Sequence, residues 1–329
     1  MSKLISRRRI LESACWAGVA ATVAPTVSFA SAPTNKRLVF VLLRGAMDGL
    51  HAVVPTGDRW YESTRGALAY QAGSLQGLDS YFSLAPGLSP LLPDYRRGEL
   101  LAIQGVAIPY RTRSHFDAQS ILETGMDRPI GSATGWLNRS LSALGGSQGL
   151  GLAVGSGLPK SLHGSAPVGT WSPGRSKEGS ELFEDTLAQL YLSDPQLADP
   201  FTAAQTLKDQ AMGGNMKSGK RGLAQFKQLF QATANFLSSP TGPRIAAMEF
   251  SGWDTHVGQG LENGTLDRRL KALADGLLTL KAGMSAEVWR NTVVVIATEF
   301  GRTAAANGNG GTDHGTAGTT LLYGGSVKG

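Results

Sequence analysis

Cysteine is almost absent from this chain. The only one in 329 residues, Cys15, lies in an N-terminal stretch that reads as removable, and the Glu12-Ser13-Ala14 before it does not form a lipoprotein box. A mature protein without cysteine has no disulfide, no thiolate metal site and no cysteine nucleophile. Charge is also sparse, at 17% of residues, and Lys3, Arg7, Arg8 and Arg9 set against Glu12 account for half of the net charge of +6. The remaining positive charge is small and scattered, with no basic stripe interleaved with aromatics, so nucleic acid is excluded as a partner. Beyond the N-terminus no apolar run approaches the roughly 20 residues a membrane-spanning helix needs, and no stable transmembrane anchor is expected.

Hydrophobic residues are plentiful, at 41%, and glycine is abundant, at 43 positions. That composition indicates a globular protein with many turns and close backbone approaches. The length suits one large α/β domain or two smaller ones with a sizeable core.

Ser6-Arg7-Arg8-Arg9-Ile10-Leu11 has the form of a twin-arginine export signal. A weakly apolar stretch, 14–29, and a small-residue cleavage site, Ala30-Ser31-Ala32, follow it. Residues 1–32 are therefore read as a signal peptide, with the twin-arginine export machinery as a partner and a periplasmic or otherwise exported location. Residues 33–329 form the folded part. The twin-arginine route carries folded proteins, which suits an enzyme that takes up its metal before export.

Near-continuous Val/Ile/Leu runs at 38–43, 100–106, 245–250, 293–298 and 319–323 fit the strands of a central parallel sheet. Between them, Leu266, Leu270, Leu273, Leu277 and Leu280 share one helical face. Leu223, Phe226, Leu229, Phe230, Phe236 and Leu237 mark a second helix. Phe183, Leu187, Leu190 and Tyr191 mark a third. The alternation argues for a three-layer α/β/α sandwich with a mostly parallel central sheet. Residues 128–180 and 212–222 are rich in small and turn-forming residues. The stretch of about 128–222 is expected as an irregular insertion over the sheet, positioned to act as a cap.

Four clusters share one design, a strand followed by a polar turn. The first places Asp48 just past 38–43, between Gly45 and Gly49, where a carboxylate can ligate a cation or simply make a turn. The second, Tyr110-Arg111-Thr112-Arg113-Ser114-His115-Phe116-Asp117, combines hydroxyls, a histidine and guanidinium groups. That set suits oxyanion chemistry, or a helix N-cap at Ser114 with surface arginines. The third, Gly252-Trp253-Asp254-Thr255-His256, spaces Asp254 and His256 so that both can reach one ion. The fourth spans residues 298–315 and carries Glu299, Asp313 and His314, with Arg302 expected to face an anionic substrate. Pooled, Asp48, Asp254, His256, Glu299, Asp313 and His314 offer mixed N and O ligands for one or two divalent metal ions, zinc, manganese, magnesium or calcium. His51 and His163 are read as surface or structural.

In this order, LRGAMDGLH, SHFDAQ, GWDTH, TEFGRT, NGNGGTDHG and GGSVKG resemble the alkaline phosphatase/sulfatase-like superfamily, and within it the exported bacterial domain-of-unknown-function family 1501. The resemblance runs from about residue 36 to the end. It implies an alkaline-phosphatase-like fold and metal ligation by Asp48, Asp254, His256, Glu299, Asp313 and His314. It also implies a nucleophile at Ser114, or less firmly Thr112; beside it His115 is read as catalytic, and Arg111, Arg113 or Arg302 as holding the anionic group. Two departures stand out: Phe300 occupies the place of a second metal-binding histidine, and the sulfatase nucleophile signature is missing. Relatives continue for some tens of residues past the position of Gly329, so a terminal strand and helix are expected to be missing and a sheet edge exposed.

The expectation is an exported metal-dependent hydrolase of a phosphate, sulfate or related ester, acting on a small anionic ester or an envelope polymer. The competing expectation is a non-catalytic superfamily member that binds a cell-envelope polymer or a partner protein. A third, an export factor whose glycine-rich loops serve assembly alone, predicts that the six ligand candidates do not cluster.

Overall fold

The computed structural model describes residues 34–71, 73–129, 133–146, 149–173, 190–191, 198 and 222–329. The signal segment with Cys15, the helix positions Phe183 and Leu187, and residues 212–221 lie outside these.

The strands are β1 (Arg37–Arg44), β2 (Val53–Val54), β3 (Gln76–Gly77), β4 (Ser83–Leu84), β5 (Leu100–Val106), β6 (Gly151–Val154), β7 (Val168–Trp171), β8 (Ile245–Ser251), β9 (Thr292–Ala297) and β10 (Gly318–Tyr323). Seven form one sheet in the order β5-β10-β9-β1-β8-β6-β7, and β2, β4 and β3 form a small second sheet. Among the described residues the helices of eight residues or more are α1 (His115–Thr124), α2 (Trp136–Ala143), α3 (Ala224–Ser238) and α4 (Thr265–Ala282).

β1 is the axis of the fold. Its run RLVFVLLR is apolar on both faces, as a strand covered by helices on each side must be. Val39, Val41 and Leu43 face the layer of α3 and α4, where Phe230, Leu270, Leu273 and Leu277 are fully buried. Phe40 and Leu42 face Leu137 and Leu141 of α2. Alternation along one strand thus feeds two cores, and the result is the three-layer α/β/α sandwich expected from the alternation of elements. The five leucines of α4 all lie on its buried face. That helix starts without a side-chain cap, but Asp267 in its first turn accepts the Asn263 N–H at 2.9 Å and the Gly87 N–H at 2.6 Å.

β1 pairs in parallel with β8 and β9, and β6 in parallel with β8 and β7. Two expectations need correction. β10 runs antiparallel to both β9 and β5, because the long loop of residues 298–317 returns the chain at the same end of the sheet instead of through a helical crossover. And β6 and β7 belong to the main sheet, although they fall within the stretch read as an insertion. Both strands have four residues, and Gly151, Ala153 and Gly169 give them too little side chain to show a strand pattern. β5 forms one edge of the sheet, with Ile103 and Val106 exposed. Among the described residues no helix is long and apolar enough to cross a membrane.

Candidate metal centre

β1, β8 and β9 run parallel, so their carboxyl ends share one edge, and the chain leaves each through a glycine-containing turn. This is where α/β folds place ligands. The turn after β1 and the turn after β8 touch through their backbones: a Cβ on Gly45 (φ +121°) would lie 2.5 Å from the Asp254 nitrogen. The loop after β9 folds back along the turn after β8. Gly258 N–H donates to the Asn309 carbonyl at 3.0 Å, Gln259 N–H to Gly310 at 2.9 Å, and Thr312 N–H to Thr255 at 3.1 Å. Gly311 makes that contact possible, since a Cβ there would sit 2.3 Å from the Thr255 oxygen.

These loops and the first turn of α1 bring three imidazoles around one carboxylate. Nε2 of His314 lies 3.0 Å from Nε2 of His115 and 3.0 Å from Nε2 of His256. The Asp254 carboxylate is 3.0 Å from Nε2 of His256 and 3.5 Å from Nε2 of both His115 and His314. Four ligands at about 2.0–2.1 Å around a tetrahedral ion are separated from one another by roughly 3.3 Å. The separations here fall around that value. Among the described residues, His115, Asp254 and His314 form the group able to hold a metal ion, with His256 alongside.

The other ring nitrogen of each histidine is held by an acceptor. Nδ1 of His115 faces the Glu299 carboxylate at 2.8 Å, Nδ1 of His256 faces Asp313 at 3.2 Å, and Nδ1 of His314 faces the Arg113 carbonyl at 3.2 Å. In a neutral imidazole the nitrogen beside an acceptor carries the proton, which leaves the lone pair on Nε2. Three Nε2 lone pairs and a carboxylate therefore point at one another, and such a set is satisfied by a cation or by an added proton. The residues present fit a divalent metal. Without one, the proton belongs on His115: its hydrogen bond to Glu299 raises its pKa against the effect of burial, whereas burial and the neighbouring His115 lower that of His314.

Asp254 is fixed by Arg302. Burial works to raise the Asp254 pKa, but the hydrogen bond and charge of Arg302 bring it below its ordinary value. The Arg302 side chain is fully buried, donating to Asp254 and, through Nε, to Thr312 Oγ1 at 3.1 Å. The guanidinium expected from the sequence to face an anionic substrate is turned to the Asp254 carboxylate.

The remaining sequence candidates divide between the surroundings of the group and a separate network. Glu299 is buried and accepts from His115, Gln119 and Gly45 N–H, each at 2.8 Å. Burial opposes its ionisation, but these donors keep its pKa lowered. Asp313 is exposed, with its pKa lowered by hydrogen bonds from Asn307 and His256. Asp48 is buried apart from the imidazoles, in an ion pair with Arg65 and a 2.8 Å hydrogen bond from Gln259. Ser114 stands at the N-cap of α1 without a capping bond, between Arg113, whose carbonyl meets His314, and His115. Phe300 packs its ring against His115 and His314, with centroids at 4.8 and 5.1 Å.

Gln119, Gln259 and Arg65 were not anticipated. Gln119 had a visible signal: His115, Gln119 and Glu123 follow at i, i+4 and i+8 on one face of α1. Gln259 and Arg65 had none: Gln259 reaches Asp48 from the far end of the chain, and no local pattern pairs Arg65 with Asp48 17 positions before it. His51 is buried against Tyr70, and His163 is exposed with Nε2 at 3.1 Å from the Leu158 carbonyl.

Residues 181–329 match a family model described as Protein of unknown function (DUF1501). No curated protein matches the chain in sequence. Two solved structures are similar in fold at 10% sequence identity. One is the C-terminal periplasmic domain of EcEptC from Escherichia coli in complex with Zn, with a TM-score of 0.38, covering 88% of this chain and 74% of that one. The other is the integral membrane protein lipooligosaccharide phosphoethanolamine transferase A (EptA) from Neisseria meningitidis, with a TM-score of 0.34, covering 88% of this chain and 48% of that one. At such low identity and score, the chemistry of the site has to be read from its own residues.

Proposed function

We propose that the protein is a metal-dependent hydrolase of a phosphate, sulfate or related ester, exported from the cytoplasm under direction of residues 1–32. The observation that carries this reading is the convergence of the Nε2 atoms of His115, His256 and His314 on Asp254, each ring oriented from behind through Nδ1. His115, Asp254 and His314, with His256 beside them, would hold one divalent cation. Such an ion supplies Lewis acidity and makes a nearby hydroxyl or water more acidic. The chain supplies the rest. Glu299 and Arg302 hold His115 and Asp254 in register. Ser114, whose hydroxyl serves no cap, stands beside the cluster as the candidate nucleophile, with a water as the alternative. Arg113, exposed at the same turn, is available to an anionic ester. Hydrolysis breaks the ester bond between oxygen and phosphorus or sulfur; water gives its oxygen to the acid and a proton to the departing alcohol.

Asp48 and Phe300 favour one ion over two. The charge of Asp48 is met by Arg65, and the Phe300 ring lies against the imidazoles with Ala46 and Ala118 around it. Phe300 in the place of a metal-binding histidine supports a second reading, binding of an envelope polymer or partner without turnover. Elemental analysis of the full-length chain, with a panel of phosphate, phosphonate and sulfate esters, separates the two. About one equivalent of metal with metal-dependent turnover is expected. Metal without turnover of any ester favours the binding reading, and a chain that retains no ion after gentle purification overturns the metal site itself.

A further inference from the structure

Two large apolar side chains stand out among the described residues: Phe116 is 86% exposed and Val257 69% exposed, the two highest values of their kind. A single exposed apolar residue is ordinary on a protein surface. These two are not scattered. Phe116 follows His115 in the chain and Val257 follows His256, so each is anchored one residue from an imidazole of the cluster. Within the first turn of α1, successive side chains diverge by about 100°. His115 can therefore point into the cluster while Phe116 points out beside it.

The same rim carries positive charge. Arg111 and Arg113 are exposed, and Arg113 makes no ion pair among the described residues. The Arg111 guanidinium folds onto the carbonyls of Ile108 and Tyr110 at 2.5 and 3.2 Å. Arg113 has φ +62°, a left-handed conformation that non-glycine residues rarely adopt. Its carbonyl meets Nδ1 of His314, so the residue is tied to the cluster through its backbone while its side chain is exposed. The nearby carboxylates are engaged: Asp117 accepts from the Tyr110 hydroxyl at 2.7 Å, and Asp313 from His256 and Asn307.

We infer that Phe116 and Val257, with Arg113 beside them, seat the apolar part of an amphiphilic anionic ester, one whose alcohol carries an alkyl chain of several carbons. The inference rests on the hydrolase reading and narrows its substrate class. A cationic group alone would select any small anion. Two apolar side chains left in water beside it select an anion that brings its own apolar surface.

Full burial of a methylene is equivalent to about a 4-fold gain in affinity, and a chain lying on an open rim is covered on about one side, for about 2-fold per methylene. The full-length zinc-loaded protein is therefore expected to hydrolyse hexyl phosphate with a kcat/KM about 30-fold above that for methyl phosphate. In the double variant Phe116→Ser, Val257→Ser that ratio falls below about 5. A wild-type ratio near 1, or a ratio unchanged in the variant, overturns the seat. If neither ester is turned over, dissociation constants for methylphosphonate and hexylphosphonate, measured by calorimetry on the zinc-loaded protein, decide the matter. A hexyl preference that the double variant loses supports the seat while the hydrolase reading fails. Equal affinities overturn the seat as well.

Discussion

Each imidazole of the candidate centre has a different partner behind it, and the partners rank the consequences of substitution. His314 touches both other rings, so His314→Ala removes the shared vertex of the group, and retained metal is expected to drop from about one equivalent to below a tenth by elemental analysis. Glu299 acts through His115. Glu299→Gln keeps an oxygen near Nδ1 but removes the buried negative charge, and metal affinity is expected to fall about 10- to 100-fold with an unchanged circular dichroism spectrum. His51 belongs to a different network. It is fully buried beside Tyr70 and Gln259, and burial lowers its pKa from 6.5 to about 4. Above pH 6.5 both folded and unfolded states leave it neutral, and its titration adds no pH dependence to stability. As pH falls below 6.5 the unfolded chain takes up a proton that the folded chain refuses until about pH 4, so stability declines through that window by up to about 3 kcal/mol. Thermal melts of wild type and His51→Gln from pH 7 to pH 4 check this. The wild-type curve should fall more steeply, and parallel curves would show that His51 does not carry the acid sensitivity.

At the scale of elements, α4 and α1 show two ways a helix serves the site. α4 is structural. Leu273 is fully buried in the core that faces Val39, Val41 and Leu43 of β1, and Leu273→Ala is expected to destabilise the fold by about 2–5 kcal/mol, read as a lower urea midpoint with an unchanged slope. α1 turns one face to the candidate centre and its surroundings: His115 in the cluster, Gln119 donating to Glu299, and Glu123 paired with Arg44 at 2.9 Å. Elements with a strong period were legible in the sequence. The leucine face of α4 and the apolar runs of β1, β8 and β9 needed only local pattern, because their burial is continuous. β6 and β7 were not legible, since strands of four residues rich in glycine and alanine leave no periodicity to read. The direction of β10 was hidden for a different reason: a strand's sequence records how it is buried and not which way its neighbour runs.

Across the whole molecule, the site is a meeting of segments distant in sequence: the first turn of α1, the turn after β8 and the long loop after β9. The sequence showed each cluster with its metal-ligand residue types, and the convergence of Asp254, His256 and His314 follows from the shared carboxyl edge of parallel strands. The division of labour inside the site was not visible. That Asp48 would meet Arg65 and that Arg302 would turn inward to Asp254 depend on packing between residues 17 and 48 positions apart. Metal binding at a centre assembled this way would be tied to the fold as a whole, because an unfolded chain cannot bring His115, Asp254 and His314 within reach of one ion. Binding that requires the folded state stabilises it by RT ln(1 + [L]/Kd), about 2.7 kcal/mol at a metal concentration 100 times Kd. For a chain of this size that is expected to raise the thermal midpoint by about 4 °C. The measurement is a melt of the full-length protein in chelator and again with added zinc, repeated for His314→Ala. The wild-type midpoint should rise with zinc and return to its starting value on chelation, while the variant should not respond. A zinc-induced rise of the same size in both proteins would mean that the ion binds elsewhere, and the three imidazoles would then be held together by shared protons instead of a metal.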